Sequence, residues 1–150
     1  MIARCAEADH TTVLITCTNG DRGQVIGLSL NPEESAEDRR ALAEVRRGEL
    51  EGATKILGLS HLYQFGYSDS GMEGWESNKL GEVFANAEPG EVAEKIARII
   101  REHQPDVLIT YDKKGGYGHP DHLMANRSAM AALDVAADPE RLGDIPPWRV

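Results

Sequence analysis

The sequence is poor in the features that several function classes require. It has no basic run and its aromatics are only 5% of the chain. A nucleic-acid partner would demand a Lys/Arg face against its phosphates, so that class is excluded. The formal net charge of −9 speaks for solubility and specifies no partner of its own. No apolar stretch approaches the roughly 20 residues that span a bilayer, so no membrane role is expected. The opening residues are interrupted by Arg4, Glu7 and Asp9, which is unlike a signal peptide. With two cysteines, Cys5 and Cys17, and no export signal, the expected compartment is a reducing cytoplasm. Repeats and low-complexity linkers are also missing, and 150 residues suit one domain better than two.

What is present alternates strand and helix. Thr12–Thr18 is β-branched and nearly all apolar, as expected of a strand buried on both faces, with Cys17 inside it as a small hydrophobe. Asn31-Pro32-Glu33-Glu34 reads as a helix start, with an N-cap Asn, Pro at the first position and acids at the positive end. Leu42, Val45, Ala53, Ile56 and Leu57 continue a helical stripe to Gly58, a C′ glycine. His61–Phe65 is a second strand. Pro89-Gly90 opens another helix whose apolar face is Val92, Ile96, Ile99 and Ile100, ending at His103 and Gln104 before Pro105. Val107–Tyr111 is expected as a third strand and a helix should follow Pro120. The pattern is that of an α/β fold with a parallel, Rossmann-like sheet and flanking helices. Met1–Ala8 reads as the tail of a helix, and Ile145–Val150 stops where a further strand could begin, so both ends read as cut.

The informative segment runs from Tyr111 to His122, Y-D-K-K-G-G-Y-G-H-P-D-H. It follows an expected strand, at the strand end where open α/β sheets keep their ligand sites. Gly115, Gly116 and Gly118 allow tight turns and close approach. Pro120 suits a first helical turn, which sets Asp121 and His122 at the positive end of a helix. His119 and His122 are three apart and can project to one side. Two imidazoles and a carboxylate beside a glycine loop suit a metal that polarises a carbonyl and activates water. By spacing alone, both histidines are candidate ligands.

G-G-Y-G-H-P-D-H after T-Y-D resembles the second signature of the LmbE-like, or GlcNAc-PI, de-N-acetylases. That family includes the deacetylase of mycothiol biosynthesis and the mycothiol conjugate amidase. Thr16–Gly23, Val45–Leu50 with Ala53 and Leu57-Gly58, and Gly66–Met72 agree with it in order. The resemblance implies a zinc-dependent hydrolase that removes an acetyl group from an N-acetylglucosaminyl substrate or cleaves a related amide. It implies a small-molecule N-acetylated amino-sugar conjugate as partner. His122 then becomes the zinc ligand of this half of the site. His119 protonates the leaving amine or steadies the oxyanion, Asp121 orients or tunes His119, and Tyr117 donates to the tetrahedral intermediate. Arg46 and Asp69 match positions that hold the sugar's polar groups. Outside the resemblance, Arg46 heads an R-x-x-E pattern on a helix and reads also as a solvated residue, and Asp69 as a turn carboxylate in D-S-G.

The family's first signature, H-P-D-D, supplies a ligand His, a ligand Asp and the general-base Asp. No H-P-D-D occurs among these residues, and Asp9-His10 precedes its strand, at the wrong end for a site. A zinc site with His122 alone is incomplete. The expectation is therefore a partial LmbE-like domain over residues 1–150, lacking its first, central strand and inactive as it stands. The rival reading is a non-catalytic remnant that binds a sugar or a partner chain through Arg46, Asp69 and Tyr117. A dinucleotide-binding domain is disfavoured, because Thr18-Asn-Gly-Asp-Arg-Gly23 is not G-x-G-x-x-G and follows the wrong strand.

Overall fold

A computed structural model describes residues 1–23 and 26–150. The chain divides into two compact units, Met1–Asp69 and Ser70–Val150.

In the first unit, helix α1 (Ile2–Glu7) leads to strand β1 (Val13–Thr18), helix α2 (Ala36–Leu57) and strand β2 (His61–Tyr67). The two strands pair in parallel, Val13 opposite His61 and Ile15 opposite Tyr63, as a β-α-β unit requires. The register slips after Thr16 opposite Gln64, so that Thr18 faces Tyr67. The extra residue lies on β2 beside Gly66, whose φ of 72° only glycine adopts without cost. The bulge re-aims the chain just before Ser68 and Asp69.

Two expectations for this unit are corrected. Helix α2 starts after Ser35, not at Asn31-Pro32. The Ser35 hydroxyl accepts from Asp38 N at 3.2 Å, while the Asp38 carboxylate accepts from Asn31 N at 2.7 Å. The Ser35 cap, with the Asp38 carboxylate tying back the chain ahead of it, outweighs the Pro signal, and residues 32–34 form a turn. The apolar stripe of α2 is also less buried than its spacing suggests. Leu42 is enclosed, whereas Val45, Ala53, Ile56 and Leu57 are exposed. A two-stranded sheet offers too little surface to cover a helix of this length, and β1 itself is half-buried throughout. Gly58 ends the helix as expected, in the left-handed conformation.

The second unit is built on α3 (Pro89–His103) packed along α5 (Pro120–Ala137). The expected face of α3, Val92, Ile96, Ile99 and Ile100, is buried, each side chain contributing roughly 1.5–3 kcal/mol. Gln104 turns the chain out of the helix at φ 48°. Two short 3-10 turns, Glu76–Lys79 and Phe84–Asn86, precede α3, and Phe84 is fully enclosed. A one-turn helix, α4 (Gly115–Gly118), precedes α5. Val107–Tyr111 is neither strand nor helix. The chain there exposes Val107, Ile109 and Tyr111 and half-buries Leu108 and Thr110, an alternation of period two. The run has the conformational preference of a strand, but a strand also needs a ladder partner, and none pairs with it among the described residues. No strand forms over 145–150 either. No helix among the described residues is long and apolar enough to cross a membrane.

Candidate active site

In the second unit the site grows out of Asp112. Its carboxylate accepts from Lys114 N at 3.0 Å and Gly116 N at 2.9 Å, an Asx turn that folds the glycine loop back on itself. Gly115 sits at φ 65°, and a Cβ there would lie 3.0 Å from Leu123 N and 3.2 Å from the His122 Cβ. The glycine is therefore what lets the loop pass directly over the first turn of α5. His119 caps that helix, its Nδ1 accepting from Asp121 N at 3.2 Å. Pro120 follows at the first helical position, where its missing N–H costs nothing.

The two histidines differ in the partner that Nδ1 meets. For His122 it is the Gly115 carbonyl, 3.2 Å away. A carbonyl only accepts, so the His122 proton belongs on Nδ1 and the Nε2 lone pair is left for another group. For His119, Nδ1 is itself the acceptor, so in the neutral ring the proton sits on Nε2. The rings lie 4.7 Å apart and 27° from parallel. His122 is stacked flat on Tyr111, centroids 3.9 Å apart, and the Tyr111 carbonyl is held by Asn126 Nδ2 at 2.6 Å. Tyr117, 69% exposed, meets both imidazoles edge-on. Three of the expected residues are thus brought together, with Tyr111 as an unanticipated fourth. His122 fits a zinc ligand on the chemistry of its donor atoms: in the neutral ring Nε2 keeps its lone pair, and a carbonyl on the far nitrogen fixes the ring, as ligating histidines require.

Asp121 is buried, and its carboxylate lies 3.9 Å from His119 Nδ1, beyond hydrogen-bond reach. It grips Ser70 instead, accepting from its N at 3.0 Å and from its hydroxyl. Ser70 is fully enclosed. Its oxygens also accept from Ala85 N at 3.1 Å, Ser77 Oγ at 2.7 Å and Asn78 Nδ2 at 2.6 Å. Of Asp121, it is the main-chain N–H that orients His119. Ser70 was visible in the sequence only as the middle of D-S-G, with nothing to mark it as buried.

Arg46 and Asp69 belong to the first unit. Arg46 lies on α2 and pairs with Glu49 at 2.9 Å, the R-x-x-E contact. Its methylenes run alongside the turn at Gly20, where a Cβ would approach them to 3.5 Å. Asp69 follows the β2 bulge, its N–H donating to Asp21 Oδ1 at 2.7 Å and its carbonyl accepting from Arg22 Nη1 at 2.8 Å. Asp21 and Arg22 were legible only as part of a matching stretch.

Residues 1–133 match the family described as PIG-L: GlcNAc-PI de-N-acetylase. The chain belongs to this family. It is 42% identical over 154 residues to the 1D-myo-inositol 2-acetamido-2-deoxy-alpha-D-glucopyranoside deacetylase 2 of Saccharopolyspora erythraea, covering 99% of this chain and 56% of that protein. It is 44% identical over 144 residues to the corresponding deacetylase 1 of Catenulispora acidiphila, covering 93% and 44%. The chain thus spans about half the length of the curated relatives it matches. Among solved structures, the N,N'-diacetylchitobiose deacetylase from Pyrococcus horikoshii superposes with a TM-score of 0.72 at 22% identity, over 99% of this chain and 50% of that one. The 4-carboxy-2-hydroxymuconate hydratase from Pseudomonas putida KT2440 superposes with a TM-score of 0.71 at 22% identity, over 97% and 53%. A deacetylase and a hydratase on one fold mean that these two likenesses speak to architecture alone. The resemblance read from the G-G-Y-G-H-P-D-H octet and its companion stretches holds, and the α/β class with it.

Proposed function

We propose that this chain carries the metal-ligand and proton-donor residues of a zinc-dependent N-deacetylase acting on an N-acetylglucosaminyl substrate. The observation that supports it is that two stacked imidazoles meet opposite main-chain partners at Nδ1, a carbonyl for His122 and an N–H for His119. In the neutral rings that leaves His122 an Nε2 lone pair and His119 an Nε2–H. One is a ligand and the other a donor, although their spacing alone makes them alike. The named activity of the Saccharopolyspora and Catenulispora relatives supports the same substrate class.

His122 would hold the zinc, which when bound supplies Lewis-acid polarisation of the amide carbonyl and an acidified water. His119 delivers the proton on Nε2 to the departing amine or to the oxyanion, and its helix-capping bond to Asp121 N keeps that edge aimed. Tyr117, exposed and edge-on to both rings, donates its hydroxyl to the oxyanion. Arg46 and Asp69 hold the polar groups of the sugar, the arginine by its fork of donors and the aspartate by accepting from hydroxyls.

The test is amine release from an N-acetylglucosaminyl substrate, with metal content after dialysis measured in parallel, in a protein that carries the complete signature set. His122→Ala should lose metal. His119→Ala should keep metal and lose turnover by about 10²–10⁴-fold. Full turnover in His119→Ala would refute the donor assignment, and undiminished metal in His122→Ala the ligand assignment.

A further inference from the structure

The loop after β1 holds the two buried charges among the described residues of the first unit. Asp21 is 7% exposed and Arg22 is 8% exposed. Neither has a part in the chemistry above, yet both direct their hydrogen bonds at Ser68 and Asp69, just past β2. Asp21 Oδ1 accepts from Asp69 N at 2.7 Å and Oδ2 accepts from the Ser68 hydroxyl at 2.7 Å. Arg22 Nη1 donates to the Asp69 carbonyl at 2.8 Å and also to Ser68 Oγ. The two side chains lie 3.7 Å apart as an ion pair. Gly20 turns the first loop at φ 67° and Gly66 makes the bulge before the second at φ 72°.

A buried ion pair is a weak source of stability, because its desolvation cost rivals the attraction between its charges. This one gains something that an apolar pair could not, a hold on both the N–H and the C=O of a single residue. Gripping both peptide groups fixes the backbone frame of Asp69 and so the direction in which its Cα–Cβ bond leaves the chain. A side chain aimed before its ligand arrives loses less freedom on binding.

We propose that Asp21 and Arg22 are positioning residues that pre-set Asp69 for the hydroxyl groups of an amino sugar. The proposal rests on the substrate role given to Asp69 above. Asp21 supplies the anchor for its N–H, Arg22 the anchor for its carbonyl, and Ser68 bridges the two. The loops after two neighbouring parallel strands are thereby fastened by side chains at the strand ends where α/β ligand sites lie.

The experiment uses the 150-residue chain, labelled for NMR and titrated with N-acetylglucosamine, reading the sugar-induced shifts and the exchange rate of the Asp69 amide. Asp21→Ala should speed exchange of that amide and weaken sugar affinity by about tenfold each, since a charge-assisted bond is lost. Asp21→Asn, which keeps an acceptor at Oδ1, should restore most of both. Should Asp21→Ala leave Arg22 unpaired and the chain unfolded, Arg22→Gln carries the test, removing the charged anchor of the carbonyl while Asp21 keeps the Asp69 N–H and the Ser68 hydroxyl as donors. The expected result there is several-fold weaker sugar binding at an unchanged fold. A lowered unfolding temperature with undiminished affinity in the folded protein would overturn the proposal, since a merely structural latch behaves in that way. Asp69→Ala separates the two claims. If it leaves sugar affinity intact, or if the unaltered chain shows no sugar-induced shift, the substrate role of Asp69 falls and the proposal with it. If Asp69→Ala abolishes binding while Asp21→Ala and Arg22→Gln do not weaken it, the latch alone is refuted.

Discussion

A single glycine decides whether the histidines can face as they do. Gly115 is buried, sits at φ 65° and passes within 3.0 Å of Leu123 N when a Cβ is placed on it. An alanine there meets two costs, roughly 1–2 kcal/mol for the left-handed backbone and a further overpacking strain of about 1–3 kcal/mol. The neighbour that must give way is rigid, because Leu123 N belongs to the first turn of α5. The carbonyl of the same glycine holds His122 Nδ1, so the displacement reaches the imidazole directly. Gly115→Ala is therefore expected to destabilise the chain by about 2–5 kcal/mol and to shift the ring resonances of His122, read by urea unfolding and by NMR. An unperturbed His122 in a folded Gly115→Ala protein would contradict the argument. The two protonation patterns could not be read from H-x-x-H spacing, because each depends on a main-chain group supplied by the fold: the Gly115 carbonyl for one ring and the Asp121 N–H for the other.

Helix α5 shows how unevenly the elements were written in the sequence. Its start was plain, since Pro120 has a strong positional meaning. Its end is closed by a residue of α3. Arg101, 2% exposed, donates to the carbonyls of Ala136 at 2.9 Å, Leu142 at 2.8 Å, Ile145 at 2.6 Å and Val135 at 3.3 Å, and to that of Asp138. A cation at a helix C-terminus meets both the unpaired carbonyls and the negative end of the dipole. Arg101→Met keeps much of the volume and strands those acceptors, so a loss of about 3 kcal/mol is expected in urea unfolding, with faster amide exchange in the last turn of α5. A loss below about 1 kcal/mol would show that water replaces the guanidinium freely. Such a cap is invisible to periodicity, which reads neighbours along the chain. Helix α3 was legible for the converse reason, because the spacing of Val92, Ile96, Ile99 and Ile100 is itself the buried face. Val107–Tyr111 lies between these cases. Its alternation is local and was legible, whereas strand pairing depends on a partner that no local pattern specifies.

At the scale of the molecule, the count of metal ligands sets the expected activity. A catalytic zinc takes three protein ligands and a water, and the family pattern assigns one ligand, His122, within these 150 residues. The ligand His and Asp and the general-base Asp of the H-P-D-D signature have no counterpart among them. The resemblance gives His119 and Tyr117 donor roles, and with Nδ1 of His119 occupied by the Asp121 N–H neither supplies the general base. The 150-residue protein is thus expected to lose zinc on dialysis and to release negligible amine from N-acetylglucosaminyl substrates. Joining a segment that carries H-P-D-D ahead of Met1 should raise both metal retention and turnover together, because the same residues supply the missing ligands and the base. Metal content and amine release are measured on the two proteins side by side, with His122→Ala as the control in each. Tight, stoichiometric zinc and full turnover in the 150-residue chain would mean that residues outside the family pattern complete the site. Metal retention gained without turnover would place the fault in the base or the substrate contacts instead, and N-acetylglucosamine binding followed by NMR in the joined protein would then distinguish those two, since a missing base leaves the sugar bound and faulty contacts do not.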